Sequence, residues 1–143
     1  MLILSQRVCE TIAAHGAASY PHEGCGLLLG SSDDGRNVVS RAWPLANVWP
    51  VESEKPERFR IDPADWLAVE VAATAEGLDV VGIFHSHPDH PPVASPRDVA
   101  WAAFVGYSYL ITQVVGGAPG LSRSWQLIAD RTGFVEEEIE YIE

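Results

Sequence analysis

Short apolar blocks separated by polar turns run along most of the chain, and their periods differ between segments. Blocks of roughly four to eight residues rich in Val, Ile and Leu predict strands, whereas apolar positions three and four apart predict helices. The predicted strands are 2–4, 23–29, 37–43, 79–85, 107–115, 124–130 and 134–141, with a further short ordered segment at 59–61. This mixture of elements favours an α+β fold over a strictly alternating parallel sheet.

Three helices are predicted from their start signals. Ser5 is a suitable N-cap for a helix that runs to about residue 18. Asp62-Pro63 predicts a second helix to about residue 75, and Ser95-Pro96 repeats the signal for a third helix to about residue 105. The predicted buried faces of the first two carry Val8, Ile12, Ala13, Trp66, Val69 and Ala73.

The segment 44–58 is rich in proline and charge and is predicted to be a mobile loop. Trp49 lies within it, so this side chain is a candidate for contact with a substrate. The length of 143 residues and the apolar fraction of 47% predict one folded domain over residues 1–143. Two cysteines without CxxC spacing, no membrane-length apolar run and no secretory leader predict a cytoplasmic protein with reduced thiols.

The formal net charge of −11 argues against nucleic acid as a partner, because the acidic field repels phosphate. Lys55 is the only lysine beside eight arginines. An acidic, lysine-poor surface suits a salty interior, where self-repulsion is screened, although codon bias would also remove lysine.

The candidate chemistry lies where the strand 79–85 ends. His85 and His87 are two residues apart, so strand alternation places both imidazoles on one side. Two neutral imidazoles form half of a site for a borderline metal such as Zn²⁺. Asp98, one turn into the third predicted helix, is a candidate third ligand, and three protein ligands leave a fourth position for water.

A zinc hydrolase also needs a base for that water, and Glu23 is the candidate because a charge at the start of an apolar strand requires a partner. Ser95 is a candidate donor to the developing oxyanion. The pattern S-x-x-D also resembles a capping box, and both roles are compatible.

The sequence His85-Ser86-His87-Pro88, six residues, then Ser95-Pro96-Arg97-Asp98, with Glu23 upstream, resembles the JAMM motif of the MPN+ metalloproteases. The similarity extends over nearly the whole chain and is greatest to the short stand-alone prokaryotic members. It implies a curved, partly closed mixed β-sheet flanked by helices, of the deaminase-like type.

The resemblance also implies function. One zinc ion would bind His85, His87 and Asp98, Glu23 would act as general base, and Ser95 would steady the tetrahedral intermediate. The substrate would be a peptide or isopeptide bond at the C-terminal tail of a small ubiquitin-like protein of the sulfur-carrier type. Large ubiquitin-binding insertions have no room in this chain. A non-catalytic MPN scaffold or binding module is the alternative.

Two further residues near the motif have open interpretations. His90 is either a spare metal ligand or a solvated loop residue. Cys25, two residues after Glu23, is either a redox-sensitive thiol near the metal or a small buried apolar side chain.

Overall fold

The computed structural model describes residues 1–96, 98, 102 and 104–143. Within these residues the chain forms eight strands, two α-helices and one 3-10 turn. The strands are β1 Leu2–Ser5, β2 Cys25–Asp33, β3 Arg36–Leu45, β4 Asp79–Pro88, β5 Ser108–Val115, β6 Ala118–Leu127, β7 Phe134–Glu137 and β8 Ile139–Ile142. The helices are α1 Gln6–Ser19 and α2 Pro63–Ala75, and the 3-10 turn is Glu52–Glu54.

All eight strands belong to one mixed sheet in the order β7-β6-β5-β4-β2-β3-β1-β8. The two edge strands, β7 and β8, are consecutive in the chain and are separated only by Glu138. The two edges of the sheet must therefore approach each other, and the Leu2 amide donates to the Glu138 carbonyl at 2.9 Å. The sheet is a nearly closed, barrel-like structure flanked by two helices, which confirms the predicted α+β class and curved sheet.

The central strand β2 is buried on both faces, and its alternating side chains enter two separate cores. Leu28 packs with Val8 and Ile12 of α1 in the first core. Leu27 and Leu29 pack with Val69 and Ala73 of α2 in the second. A continuous apolar run is the sequence signature of such a strand, which explains why the segment 23–29 was predictable.

Both helix starts follow from side-chain caps. The Ser5 hydroxyl accepts from the Val8 amide at 3.3 Å, and the Asp62 carboxylate accepts from the Ala64 amide at 2.8 Å. No helix in the described part of the chain is long and apolar enough to span a membrane.

Several predicted element limits are wrong. The helix expected from Ser95-Pro96 falls largely on residues 97, 99–101 and 103, which lie outside the described residues; residues 96 and 98 are helical as predicted, whereas residues 102, 104 and 105 are not, so the expected end near residue 105 is wrong. The strand expected at 134–141 is divided into β7 and β8. On α1, Gly16 is buried and Ala13 is only half-buried, since Gly16 contacts the sheet near Val114 and Ser86.

The predicted mobile loop 44–58 is anchored to the site. The side chain of Asn47 donates to the carbonyls of Glu23 and Arg58, both at 3.0 Å, and its oxygen accepts from the Trp49 and Arg60 amides. Trp49 is buried, and its indole nitrogen donates to a Glu54 carboxylate oxygen at 3.0 Å. This tryptophan is therefore part of the loop's own packing, and the expectation of substrate contact finds no support.

Candidate metal centre

The site lies at the end of β4, where the antiparallel partner β2 begins. Cys25 pairs with His85, and continuing that register by two residues brings Glu23 opposite His87. The Ser86 amide donates to the Gly24 carbonyl at 2.9 Å, and the Gly24 amide donates to the Ser86 hydroxyl at 2.7 Å. The pairing of two strands thus brings the predicted base to the predicted ligands.

Three predicted ligands converge on one point. The Nε2 atoms of His85 and His87 are 3.1 Å apart. The Asp98 carboxylate places Oδ1 at 3.2 Å from His85 Nε2 and Oδ2 at 3.5 Å from His87 Nε2. A tetrahedral ion with bonds of about 2.0–2.1 Å requires neighbouring ligand atoms about 3.3–3.4 Å apart. The Nε2–Nε2 distance and the two Nε2–Oδ distances, each to a different Asp98 oxygen, are close to that separation, as expected for ligands of one ion.

Each ligand is held in place by a second contact. His87 Nδ1 lies 2.7 Å from the Pro91 carbonyl, which can only accept, so Nδ1 carries the proton and Nε2 offers its lone pair to the site. The Phe59 ring stacks on His85 with centroids 4.6 Å apart. These contacts fix both ring orientations without a metal.

Ser95 and Asp98 form a reciprocal pair. The Ser95 amide donates to Asp98 Oδ2 at 2.7 Å, and the Asp98 amide donates to the Ser95 hydroxyl at 3.2 Å. The capping interpretation of S-x-x-D is therefore correct. A hydroxyl that accepts one hydrogen bond can still donate another, so the catalytic interpretation of Ser95 is compatible with this geometry.

The protonation states suit metal binding. Burial lowers the pKa of His85 and so favours the neutral imidazole that a metal requires. Burial alone would raise the pKa of Asp98, but the adjacent imidazoles of His85 and His87 and the hydrogen bond from the Ser95 amide outweigh it and hold that pKa well below its usual range. The carboxylate is thus ionised beside two imidazoles.

Glu23 is 2% exposed and its backbone is pinned on both sides. Its amide donates to the Lys55 carbonyl at 2.8 Å, and its carbonyl accepts from Asn47. Its carboxylate lies in a cluster with His87 and His90 whose ligand atoms are all within 4.8 Å of one another. The structure therefore places the predicted base next to the predicted metal ligands, two residues before β2 begins.

His90 is closer to the site than a solvated loop residue would be. Its ring stacks on that of His87 with centroids 4.1 Å apart, and its Nδ1 lies 2.7 Å from the Pro88 carbonyl. Asp89, at a φ of 59°, turns the chain back so that His90 returns to the site. The presence of a further histidine, His90, three residues after His87 was the only feature of the sequence that indicated this arrangement.

Cys25 is fully buried, and desolvation together with the nearby Glu23 charge raises its pKa to about 12. Its Sγ faces the Leu45 and Ala46 carbonyls, both at 3.8 Å. A thiol in this environment is unreactive, which favours the apolar interpretation over the redox one.

Two pockets meet at the metal ligands. One is polar, and its lining includes Glu23, Glu57, His87, His90, Ser95 and Pro96. The other is largely apolar, and its lining includes Phe59, Trp66, Ile83, His85, Asp98 and Tyr109. A substrate bond presented to the ligands would therefore have an acidic, hydrogen-bonding environment on one side and an apolar one on the other.

Residues 5–128 match the family described as prokaryotic homologues of the JAB domain. The chain belongs to this JAB family. It is 39% identical over 114 residues to a desampylase of Haloferax volcanii, covering 77% of this chain and 78% of the relative. It is 35% identical over 99 residues to a probable TtuB-protein conjugate cleaving protease of Thermus thermophilus, covering 69% of this chain and 62% of the relative.

Two solved structures share the fold of this chain. A protein from Desulfitobacterium hafniense superposes with a TM-score of 0.87 at 33% identity, covering 100% of this chain and 94% of that protein. A JAB1/MPN domain protein from Archaeoglobus fulgidus superposes with a TM-score of 0.61 at 24% identity, covering 100% of both chains. The second likeness concerns the fold alone, and it confirms the barrel-like MPN architecture.

Proposed function

We propose that this JAB-family chain is a zinc-dependent peptidase or isopeptidase. Its substrate is an amide bond at the C-terminal tail of a small ubiquitin-like protein of the sulfur-carrier type. One observation carries the proposal: one ligand atom each from His85, His87 and Asp98 lies within 4.8 Å of the other two, with the imidazole Nε2 atoms 3.1 Å apart, beside the buried carboxylate of Glu23. A non-catalytic scaffold has no need of a buried carboxylate facing a complete ligand set.

The donor set fits zinc. Two imidazoles and one carboxylate suit a borderline divalent ion, and three protein ligands are typical of catalytic rather than structural zinc. When bound, zinc would supply a Lewis acid for the carbonyl oxygen and would lower the pKa of a coordinated water to about 7.

Two residues of the protein then take separate roles, one in proton transfer and the other in charge stabilisation. The Glu23 carboxylate accepts a proton from the attacking water and passes it to the departing amine nitrogen. The Ser95 hydroxyl donates to the carbonyl oxygen as negative charge develops there. The two hydrogen bonds between Ser95 and Asp98 hold that hydroxyl beside Asp98, one of the proposed zinc ligands.

The substrate class follows from the surroundings of the site and from the relatives. The Thermus relative is named as cleaving TtuB-protein conjugates. The site here lies between a polar and a largely apolar pocket, and an extended tail can pass across both with its carbonyl at the ligands. The formal net charge of −11 opposes a nucleic acid in the same place.

The test uses a linear fusion of a ubiquitin-like sulfur carrier to a short C-terminal peptide. Protein stripped with a chelator should lose cleavage, and one equivalent of zinc should restore it. Zinc at 100 times its dissociation constant should also stabilise the folded protein by about 2.7 kcal/mol. Asp98→Asn should lose the zinc-induced stabilisation, whereas the surface control Asp130→Asn should keep it. Cleavage that survives complete zinc removal contradicts the proposal.

A further inference from the structure

A second possible cation position overlaps the first in the polar pocket. Glu23, His87 and His90 each offer a ligand atom within 4.8 Å of the others, and His87 is shared with the set formed by His85, His87 and Asp98. His90 is not among the five residues of the resemblance to the JAMM motif. The pocket beside the predicted metal ligands therefore contains an imidazole for which the proposed reaction has no use.

The geometry leaves His90 with a lone pair to offer. The Pro88 carbonyl, 2.7 Å from Nδ1, can only accept, so Nδ1 carries the proton and Nε2 is the acceptor. Stacking on His87 at 4.1 Å and 24° holds the ring in this orientation. Glu57 also lines the pocket and adds to its negative charge.

We propose that a second divalent cation of the zinc class binds between the Glu23 carboxylate and His90 Nε2, next to the first ion. Water would complete its coordination, because His87 Nε2 faces His85 and Asp98 and serves the first ion. Two protein ligands instead of three, and repulsion from the first ion, make this site the weaker of the two.

The second ion inhibits the reaction. A carboxylate whose lone pairs are coordinated cannot accept the proton of the attacking water, so filling the second site removes the base. This consequence rests on the proposed role of Glu23, whereas the binding itself does not. Hydrolysis should therefore rise as the first equivalent of zinc binds and fall as the second binds.

Binding is tested by equilibrium dialysis of chelator-stripped protein against Zn²⁺. The parent should bind two ions per chain, and His90→Asn should bind one. Asn at this position keeps an amide donor for the Pro88 carbonyl while removing the Nε2 ligand. Glu23→Gln is a second variant with the same expected loss, and thermal unfolding checks that both are folded. His22→Gln removes a half-buried imidazole that faces Glu52, so this control should still bind two ions.

Kinetics test the inhibition separately. At free zinc ten times the second dissociation constant, the parent should cleave about tenfold more slowly than with one equivalent, while His90→Asn should keep its own one-equivalent rate. One bound ion in the parent, or two in His90→Asn, overturns the second site and leaves the proposed function standing. Two bound ions without slowing overturns the inhibition. Two bound ions and no cleavage at any zinc level overturns the proposed function instead.

Discussion

Replacement of Glu23 by glutamine removes the proposed base while keeping the size of the side chain and the backbone hydrogen bonds of this residue. The side chain is 2% exposed, and glutamine has nearly the same volume, so the pocket should keep its shape. The Glu23 amide donates to the Lys55 carbonyl, and the Glu23 carbonyl accepts from the Asn47 side chain. Neither hydrogen bond involves the carboxylate. The three ligands of the first ion are also untouched.

The expected loss follows from the role. A positioned general base contributes about 10²–10⁴-fold, which corresponds to about 3–5 kcal/mol of activation free energy. Glu23→Gln should therefore cleave the carrier fusion at least about a hundredfold more slowly than the parent in single-turnover reactions, with one zinc per chain retained. Single-turnover conditions separate the chemical step from product release.

The matched control is Glu57→Gln, which removes another carboxylate of the same pocket from an exposed position. Its rate should stay within about threefold of the parent, as expected for a charge that takes no part in proton transfer. With one equivalent of zinc added, the zinc content by mass spectrometry and the melting temperature should match the parent for both variants. A zinc-loaded, folded Glu23→Gln protein that cleaves as fast as the parent would refute the proposed mechanism.

Other changes test separate parts of the argument. Ser95→Ala should lower kcat by about 10²–10³-fold with zinc retained, as for loss of an oxyanion donor; a change in KM alone would indicate only a capping role. Asn47→Ala removes four hydrogen bonds and should lower the free energy of unfolding by about 2–6 kcal/mol, measured by denaturant titration. Gly26→Ala should lower the free energy of unfolding by about 3 kcal/mol or prevent folding, because a Cβ there would overlap the Trp43 carbonyl and the Phe84 ring. If the acidic surface is an adaptation to salt, the melting temperature should rise from low to molar KCl; an unchanged value would reject that explanation.

The placement of the proposed metal ligands was predictable because it depends on local geometry. His85 and His87 share a strand face by alternation alone, and the Ser95–Asp98 spacing is that of a cap that closes on itself. The position of Glu23 beside His87 depends instead on the antiparallel pairing of β2 with β4, which no local pattern specifies. In the sequence, Glu23 is connected to the site only by its charge at the start of an apolar strand and by the resemblance to the JAMM motif.

The C-terminal strands show a limit of sequence reasoning. Their run of glutamates is typical of an acidic, solvated edge, and Glu136, Glu138 and Glu140 are exposed as that pattern indicates. Glu137 is the exception: its side chain is 6% exposed, accepts from Ser124 at 2.7 Å and pairs with the Met1 amino group at 3.0 Å. Ser124 lies directly opposite Glu137 on β6, whereas Met1 is 136 positions away along the chain and comes close because the two edges of the sheet meet.

The loop 44–58 was misjudged for a similar reason. Proline and charge are typical of mobile segments, but here the side-chain amide of Asn47 forms hydrogen bonds with four backbone groups. Because one of those groups is the Glu23 carbonyl, the loop fixes the backbone of the proposed base. Nothing in the sequence indicated this contact, because the two residues are 24 positions apart and no periodic pattern relates them.

The second contacts of the ligands also distinguish this centre from a structural zinc site. His87 is oriented by Pro91, Asp98 by the Ser95 amide and His85 by Phe59, so none of the three needs a metal to hold its geometry. The two cores around α1 and α2 bury their side chains independently of the site. Zinc fingers unfold without their ion because the ion replaces a core. This chain has its core already, so binding energy at the three proposed ligands would not be consumed in folding, and a fourth coordination position would stay available for substrate.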